Sequence, residues 1–202
     1  MTTKHRSPLA YAAETALKNT SGLLNFSPNP TDVDWHSLLS YAEKSIDVVV
    51  CFWANWTEKY EKELLQFLNK PGTRLRFVMP DPRNPLILKE TSRLFPEFAD
   101  HEVLARIVTT QRRLSRIAEQ IPKDGGKLEL YLLPRLVSYP CQRIDDEIVL
   151  FSLFEMYRQK KVSAPVITVH LEESSHLKEF FEREWKGVLT EAIRCDLAAQ
   201  LQ

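Results

Sequence analysis

The sequence has little cysteine, little glycine, no net charge and no long apolar run, and each shortage narrows the field. Its 3 cysteines, Cys51, Cys141 and Cys195, lie far apart, show no C-x-x-C spacing and cannot all pair with one another. That usage fits a reducing cytoplasm, which is the expected location. With 27 basic and 27 acidic side chains the formal charge is zero. The whole molecule therefore has no strong field to draw in a polyanion, and any nucleic-acid contact has to be local. No stretch approaches the roughly 18 to 20 apolar residues a membrane-spanning helix needs. Glu14 and Lys18 also interrupt the segment where a signal peptide would carry its apolar core. Membrane insertion is not expected. Only 5 glycines occur, with no internal repeat and no low-complexity segment, so nothing points to disorder.

What is present is an α/β pattern long enough, at 202 residues, for one well-buried core. Residues 9 to 19 read as a short helix, and "FSPNPTD" as a proline-punctuated linker whose Thr31 or Asp32 is placed to cap the next helix. The expected division is thus an N-terminal helix and linker over residues 1–30 and one α/β domain over residues 31–202. The near-continuous apolar run "SIDVVVCFW" predicts a strand covered on both faces. The helix "TEKYEKELLQFLNK" and the strand "TRLRFVM" follow it. Strand, helix, strand is the βαβ unit, which makes the two strands parallel. Two helices are predicted over residues 85–95 and 100–122. In the second, Leu104, Ile107, Val108, Leu114, Ile117, Ala118 and Ile121 share one face, and Arg106, Arg112, Arg113 and Arg116 the other. "KLELYLLP", a hairpin in "SYPCQRIDDEIVLF" and "PVITVHL" supply more strands. A long amphipathic helix from about Ser175 closes the pattern, built on Leu177, Phe180, Phe181, Trp185, Val188 and Leu189.

Several residues are candidates for chemistry, each beside a structural reading. Asp145 and Asp146 are either a site pair or turn formers at a hairpin tip. Arg143 is either a phosphate-binding guanidinium or the local ion-pair partner of one of those acids. In "PDPRNP", Asp81, Arg83 and Asn84 lie where a parallel strand ends, the edge at which ligands collect in open α/β sheets. Asn84 as N-cap and Pro85 as first helical residue already explain those two. Trp53, Asn55 and Trp56 could stack on a base or a sugar edge, although Trp53 at least reads as a buried residue. His170, Glu172, Glu173 and His176 have no regular ligand spacing, so no metal is expected. No cofactor is expected either.

Taken in order, the helix before "IDVVVCFW", "LRFVMPDPRNP" after the crossover, the "RIDDEIVLF" hairpin and "HLKEFFEREWKGVL" resemble one half of the phospholipase D superfamily, over residues 32 to 195 or so. That resemblance implies a phospholipase D-like mixed, largely parallel sheet flanked by helices. It also implies phosphodiester chemistry by a His-x-Lys-x4-Asp motif. There the His attacks phosphorus, the Lys holds the phosphate oxygens and the Asp orients the imidazole, with two copies meeting across a two-fold axis. The chemistry needs those types, because an imidazole is both nucleophile and proton carrier near neutral pH and a cation must offset the charge gathering on phosphorus. Counting back from Asp146 places Tyr139 at the His and Cys141 at the Lys, and the Gly-Ser pair that usually follows falls at Leu153 and Phe154. His176-x-Lys178 keeps two of the residue types, but on a helix residues i and i+2 point about 200° apart and cannot converge on one phosphate.

The resulting expectation is a catalytically degenerate phospholipase D-like module. It would act as a sensor, regulatory or protein-interaction subunit, in a prokaryotic defence or transcription system for example. The resemblance implies a homodimer, with a protein, a nucleotide or a nucleic acid as partner. One alternative is an active phosphodiesterase or nuclease with Tyr139 as nucleophile, Arg143 as cation and Asp146 as orienting acid. The other is a different α/β enzyme acting on nucleotides through carboxylates such as Asp81 and Asp146.

Overall fold

A computed structural model describes residues 22–152 and 165–197. The helix expected over residues 9–19, and Leu153 and Phe154, lie outside the described residues. Among the described residues eight strands form one sheet, in the order β1-β7-β6-β5-β2-β3-β4-β8. At its centre, β2 (Ser45–Val49) is buried at every residue, as its apolar run requires. Two short helices, α2 (Ala54–Lys59) and α3 (Glu61–Leu68), carry the chain across to β3 (Arg74–Pro80), which pairs parallel with β2. The expected single helix breaks at Tyr60. Next come α4 (Pro85–Leu94), α5 (Asp100–Gln120) and β4 (Lys127–Leu133), which is parallel to β3.

The sheet is parallel only in that β2-β3-β4 section. β5 (Cys141–Ile144), β6 (Ile148–Ser152) and β7 (Val166–His170) extend it antiparallel from β2. A sheet built outward by hairpins has to alternate direction, whereas helical crossovers return the chain parallel. The two edges were not expected from sequence. β1 (Leu23–Ser27), which overlaps the segment read as a linker only at Phe26 and Ser27, pairs with β7, and β8 (Ile193–Cys195) pairs with β4 after the last helix.

Strand alternation divides the core. On one face Ile46, Val48, Leu75, Phe77, Leu130 and Leu132 pack against α1 (Trp35–Tyr41), α3 and α5. On the other, Val49, Cys51, Val78 and Leu133 meet Trp185 and Val188 of α6 (Ser175–Glu191), while Val149 and Val169 meet its Phe181. Within α5 the buried line runs through Val103, Ile107, Thr110, Leu114 and Ile117. The cap of α1 is Asp34, whose carboxylate accepts from the Ser37 N–H at 3.1 Å. Thr31 and Asp32 instead sit in a 3-10 turn just before it. Asn84 does cap α4, accepting from Leu86 N–H at 3.0 Å, with Pro85 the first helical residue. At the turn into β4, a Cβ on Gly126 would fall 2.2 Å from the Thr73 hydroxyl and 2.8 Å from its carbonyl oxygen, so only glycine lets the two segments pass.

Candidate functional site

A carboxylate in the middle of β2 organises the α6 face. Asp47 is completely buried between two strands that each bring it an arginine. Arg76 of β3 donates from Nε at 2.6 Å and from Nη2 at 2.8 Å, one bond to each carboxylate oxygen. Arg143 of β5 donates to Oδ2 from Nη2 at 2.8 Å and Nε at 3.1 Å. The register makes this inevitable, since Asp47 lies directly opposite Arg76 on one side and Arg143 on the other. Arg143 also reaches Asp146 at 3.0 Å, so two cations and two anions cancel. Trp185 of α6 covers the group, its ring 5.0 Å from the Arg76 guanidinium carbon and 5.4 Å from that of Arg143. A buried charge of this kind survives only when paired and hydrogen-bonded.

Beside these residues a cavity of about 40 Å³ is lined by Val49, Leu133, Val137, Val149, Phe181 and Val188, with Arg135, Tyr139, Cys141, Arg143, Glu184 and Trp185 supplying the polar or aromatic groups. Among the described residues no imidazole and no ammonium lines it. Tyr139 stands in the bend before β5, not within the strand. Its hydroxyl donates to Glu184 Oε2 at 3.4 Å, and burial, reinforced by Cys141 and Glu184, pushes its pKa well above the ordinary phenol value. Burial likewise pushes the Cys141 thiol up to about 12.

The hairpin tip separates its two acids. Asp145 and Asp146 both adopt left-handed backbone, with φ of 54° and 63°, and the Glu147 N–H closes the turn on the Ile144 carbonyl at 3.0 Å. Aspartate tolerates that conformation better than most residues. The Asp145 carboxylate accepts from the backbone N–H groups of Glu43, Lys44 and Ser45, each at 2.7 Å. It ties the hairpin to the start of β2. Asp146 stays exposed, its side chain 62% accessible, and meets Arg143.

The remaining candidates lie elsewhere. Asp81 accepts from Arg83 Nε at 2.9 Å and Nη2 at 2.8 Å, and those bonds hold its carboxyl below the usual carboxylate range. The pair closes its own turn. Trp53 and Trp56 stack at 4.4 Å with 19° between their planes, and with Asn55 they line a second cavity, on the opposite side of the sheet core. His176 and Lys178 lie on α6, both exposed. Among the described residues no three His, Cys, Asp or Glu groups come together as a metal site. No described helix is long and apolar enough to cross a membrane.

Asp47, Arg76 and Trp185 were not singled out as site residues from sequence. One signal was available for the first: a lone acid inside "SIDVVV" cannot be buried without a cation, and "RLRFV" offers one on the strand that must lie beside it. Trp185 carries no such signal, because any aromatic on the inward face of a helix looks alike.

No protein-family model matches the chain, and no curated protein does. Solved structures are similar in fold at low identity. One is TrmBL2, an archaeal chromatin protein described as having a novel mode of DNA binding, at 12% identity and a TM-score of 0.48 over 90% of this chain and 60% of that one. The phospholipase D family member Nuc from Salmonella typhimurium matches at 12% identity and a TM-score of 0.48, over 85% of this chain and 96% of that one. Phosphatidylserine synthase from Haemophilus influenzae matches at 12% identity and a TM-score of 0.49, over 84% of this chain and 39% of that one. The chain thus spans about 60% of the length of the chromatin protein.

Proposed function

We propose that this chain is a phospholipase D-like module without phosphodiesterase activity, serving as a sensor, regulatory or protein-interaction subunit. The observation that carries the reading is the state of the guanidiniums around Tyr139 and Cys141: Arg135, whose charge reaches Tyr139, is paired with Glu191 at 2.6 Å. Arg76 and Arg143 are spent on Asp47 and roofed by Trp185. A phospho-transfer site needs a nucleophile that can be ionised and a cation free to meet the charge developing on phosphorus. Tyr139 faces Glu184 with its proton held more tightly than usual. Tyrosine attack with Arg143 as cation and Asp146 as orienting acid would require breaking the Asp47 network first. A carboxylate enzyme built on Asp81 and Asp146 is disfavoured because each acid already has its own arginine. A homodimer, a cytoplasmic location and a place in a prokaryotic defence or transcription system belong to the same proposal.

The test is turnover. Purified protein is incubated with bis(p-nitrophenyl) phosphate and with single-stranded DNA, beside a Tyr139→Phe variant of equal thermal stability. The expected result is a rate equal to the buffer blank for both proteins. Multiple turnovers that vanish in Tyr139→Phe would overturn the proposal.

A further inference from the structure

The second cavity is larger and differently built. It holds about 300 Å³ between Pro30, Trp35, Phe52, Trp53, Trp56 and Tyr60, with Asn55, Lys59 and Arg106 among its lining residues, a volume at the lower end of small-molecule sites. Its walls are fixed. The Trp35 ring meets Trp53 edge-on at 5.3 Å and Trp56 at 5.5 Å, and its indole N–H donates to the Pro30 carbonyl at 3.2 Å. The Trp53 backbone N–H donates to the Thr110 hydroxyl of α5 at 3.0 Å. Two cations line the cavity, Lys59 and Arg106, and among the described residues neither is ion-paired with a carboxylate. The Arg106 guanidinium stands 3.8 Å over the Phe98 ring, and Lys59 Nζ 5.0 Å over Tyr60. The Trp56 indole N–H is buried without a hydrogen-bond partner among the described residues.

From this arrangement we propose that the tryptophan cavity binds a nucleotide unit, its base against the indole walls and its phosphate against Lys59 and Arg106. Indole faces suit any planar π system and are tolerant of base identity. An aromatic cage can also take a quaternary ammonium, but two cations in the wall, Lys59 and Arg106, repel such a guest and favour an anion. The exposed Asn55 amide is a donor–acceptor pair suited to ring edges. The cavity shares no lining residue with the one beside Trp185. Either reading can therefore fail without the other.

Isothermal titration with AMP, adenosine, a short oligo(dA) and choline tests it, with tryptophan fluorescence as a second readout because three of the four tryptophans line the cavity. Saturable AMP binding is expected, with Lys59→Ala and Arg106→Ala each weakening AMP about tenfold, the scale of one lost charge-assisted contact, and leaving adenosine unchanged. Trp53→Leu should weaken both. Binding of oligo(dA) without free AMP would support the site with a strand as the source of the nucleotide. No saturation by AMP or oligo(dA) up to 10 mM nucleotide units, roughly the weakest affinity worth assigning to a site, overturns the proposal. So does AMP binding indifferent to both cation variants, or choline binding more tightly than AMP. Circular dichroism melting of each variant separates lost binding from lost folding.

Discussion

The cavities on the two faces of the sheet are built from opposite materials. The α6-side cavity, about 40 Å³, has charge in plenty, but every guanidinium at Asp47 is neutralised and hidden beneath Trp185. The tryptophan cavity, about 300 Å³, has fewer charges, and among the described residues these meet aromatic rings and no carboxylate. The difference teaches that possession of arginines says little about anion binding. What matters is whether their hydrogen bonds are already taken.

The largest expected effect comes from breaking the charged side of this contrast. Asp47→Asn keeps the shape but strands two buried guanidiniums, and should cost about 3–5 kcal/mol of stability, read as a drop in the urea midpoint. A loss under about 1 kcal/mol would mean the arginines find other partners and the network is not what orders this face. The matched pair Asp145→Asn and Asp146→Asn sharpens the comparison within one turn, since asparagine keeps the left-handed backbone at both positions. Asp145→Asn disturbs three backbone N–H bonds and should cost about 1–3 kcal/mol. Asp146→Asn touches only a mostly exposed ion pair and should cost less than about 1 kcal/mol. Equal losses would contradict the division of labour between the two acids.

A smaller effect lies in pH. Burial holds the Cys51 and Cys141 thiols up to about 12, against an ordinary value near 9. The folded state therefore keeps two protons that the unfolded chain releases. Their contribution to stability is intact below pH 9 and is lost as pH rises from 9 towards 12. Thermal melting across that range should show a steady fall, made shallower by Cys51→Ala, whereas an identical slope in the variant would deny the thiol this part.

The fold was legible in the sequence where pattern and chemistry agreed. The run at Ile46–Val50, the crossover to Arg74 and the Asn84–Pro85 cap followed from hydrophobic period and capping rules. The edge strands were not legible. β8 has three residues, and β1 follows no regular alternation, with Leu24 and Phe26 exposed. Their pairing is decided by the neighbouring strand and not by their own pattern. The hairpin is visible as a turn, and the spacing of Arg143 and Asp146 is short enough for the ion pair found between them. The larger commitment of Arg143 to Asp47, 96 residues away in sequence, depends on strand order and register. The tryptophan pair of residues 53 and 56 could be noticed in sequence, but Trp35 and Arg106 join it only through tertiary packing.

Nitrogen-15 NMR of the arginine Nε–H groups during titration with inorganic phosphate tests most directly whether the guanidiniums of the α6 face belong to Asp47. The Arg76 and Arg143 signals are predicted to stay protected from exchange and unmoved by tens of millimolar phosphate, roughly the range in which weak anion sites fill. Saturable shifts of either signal would mean that an anion can claim them, and the account given for this face would be contradicted.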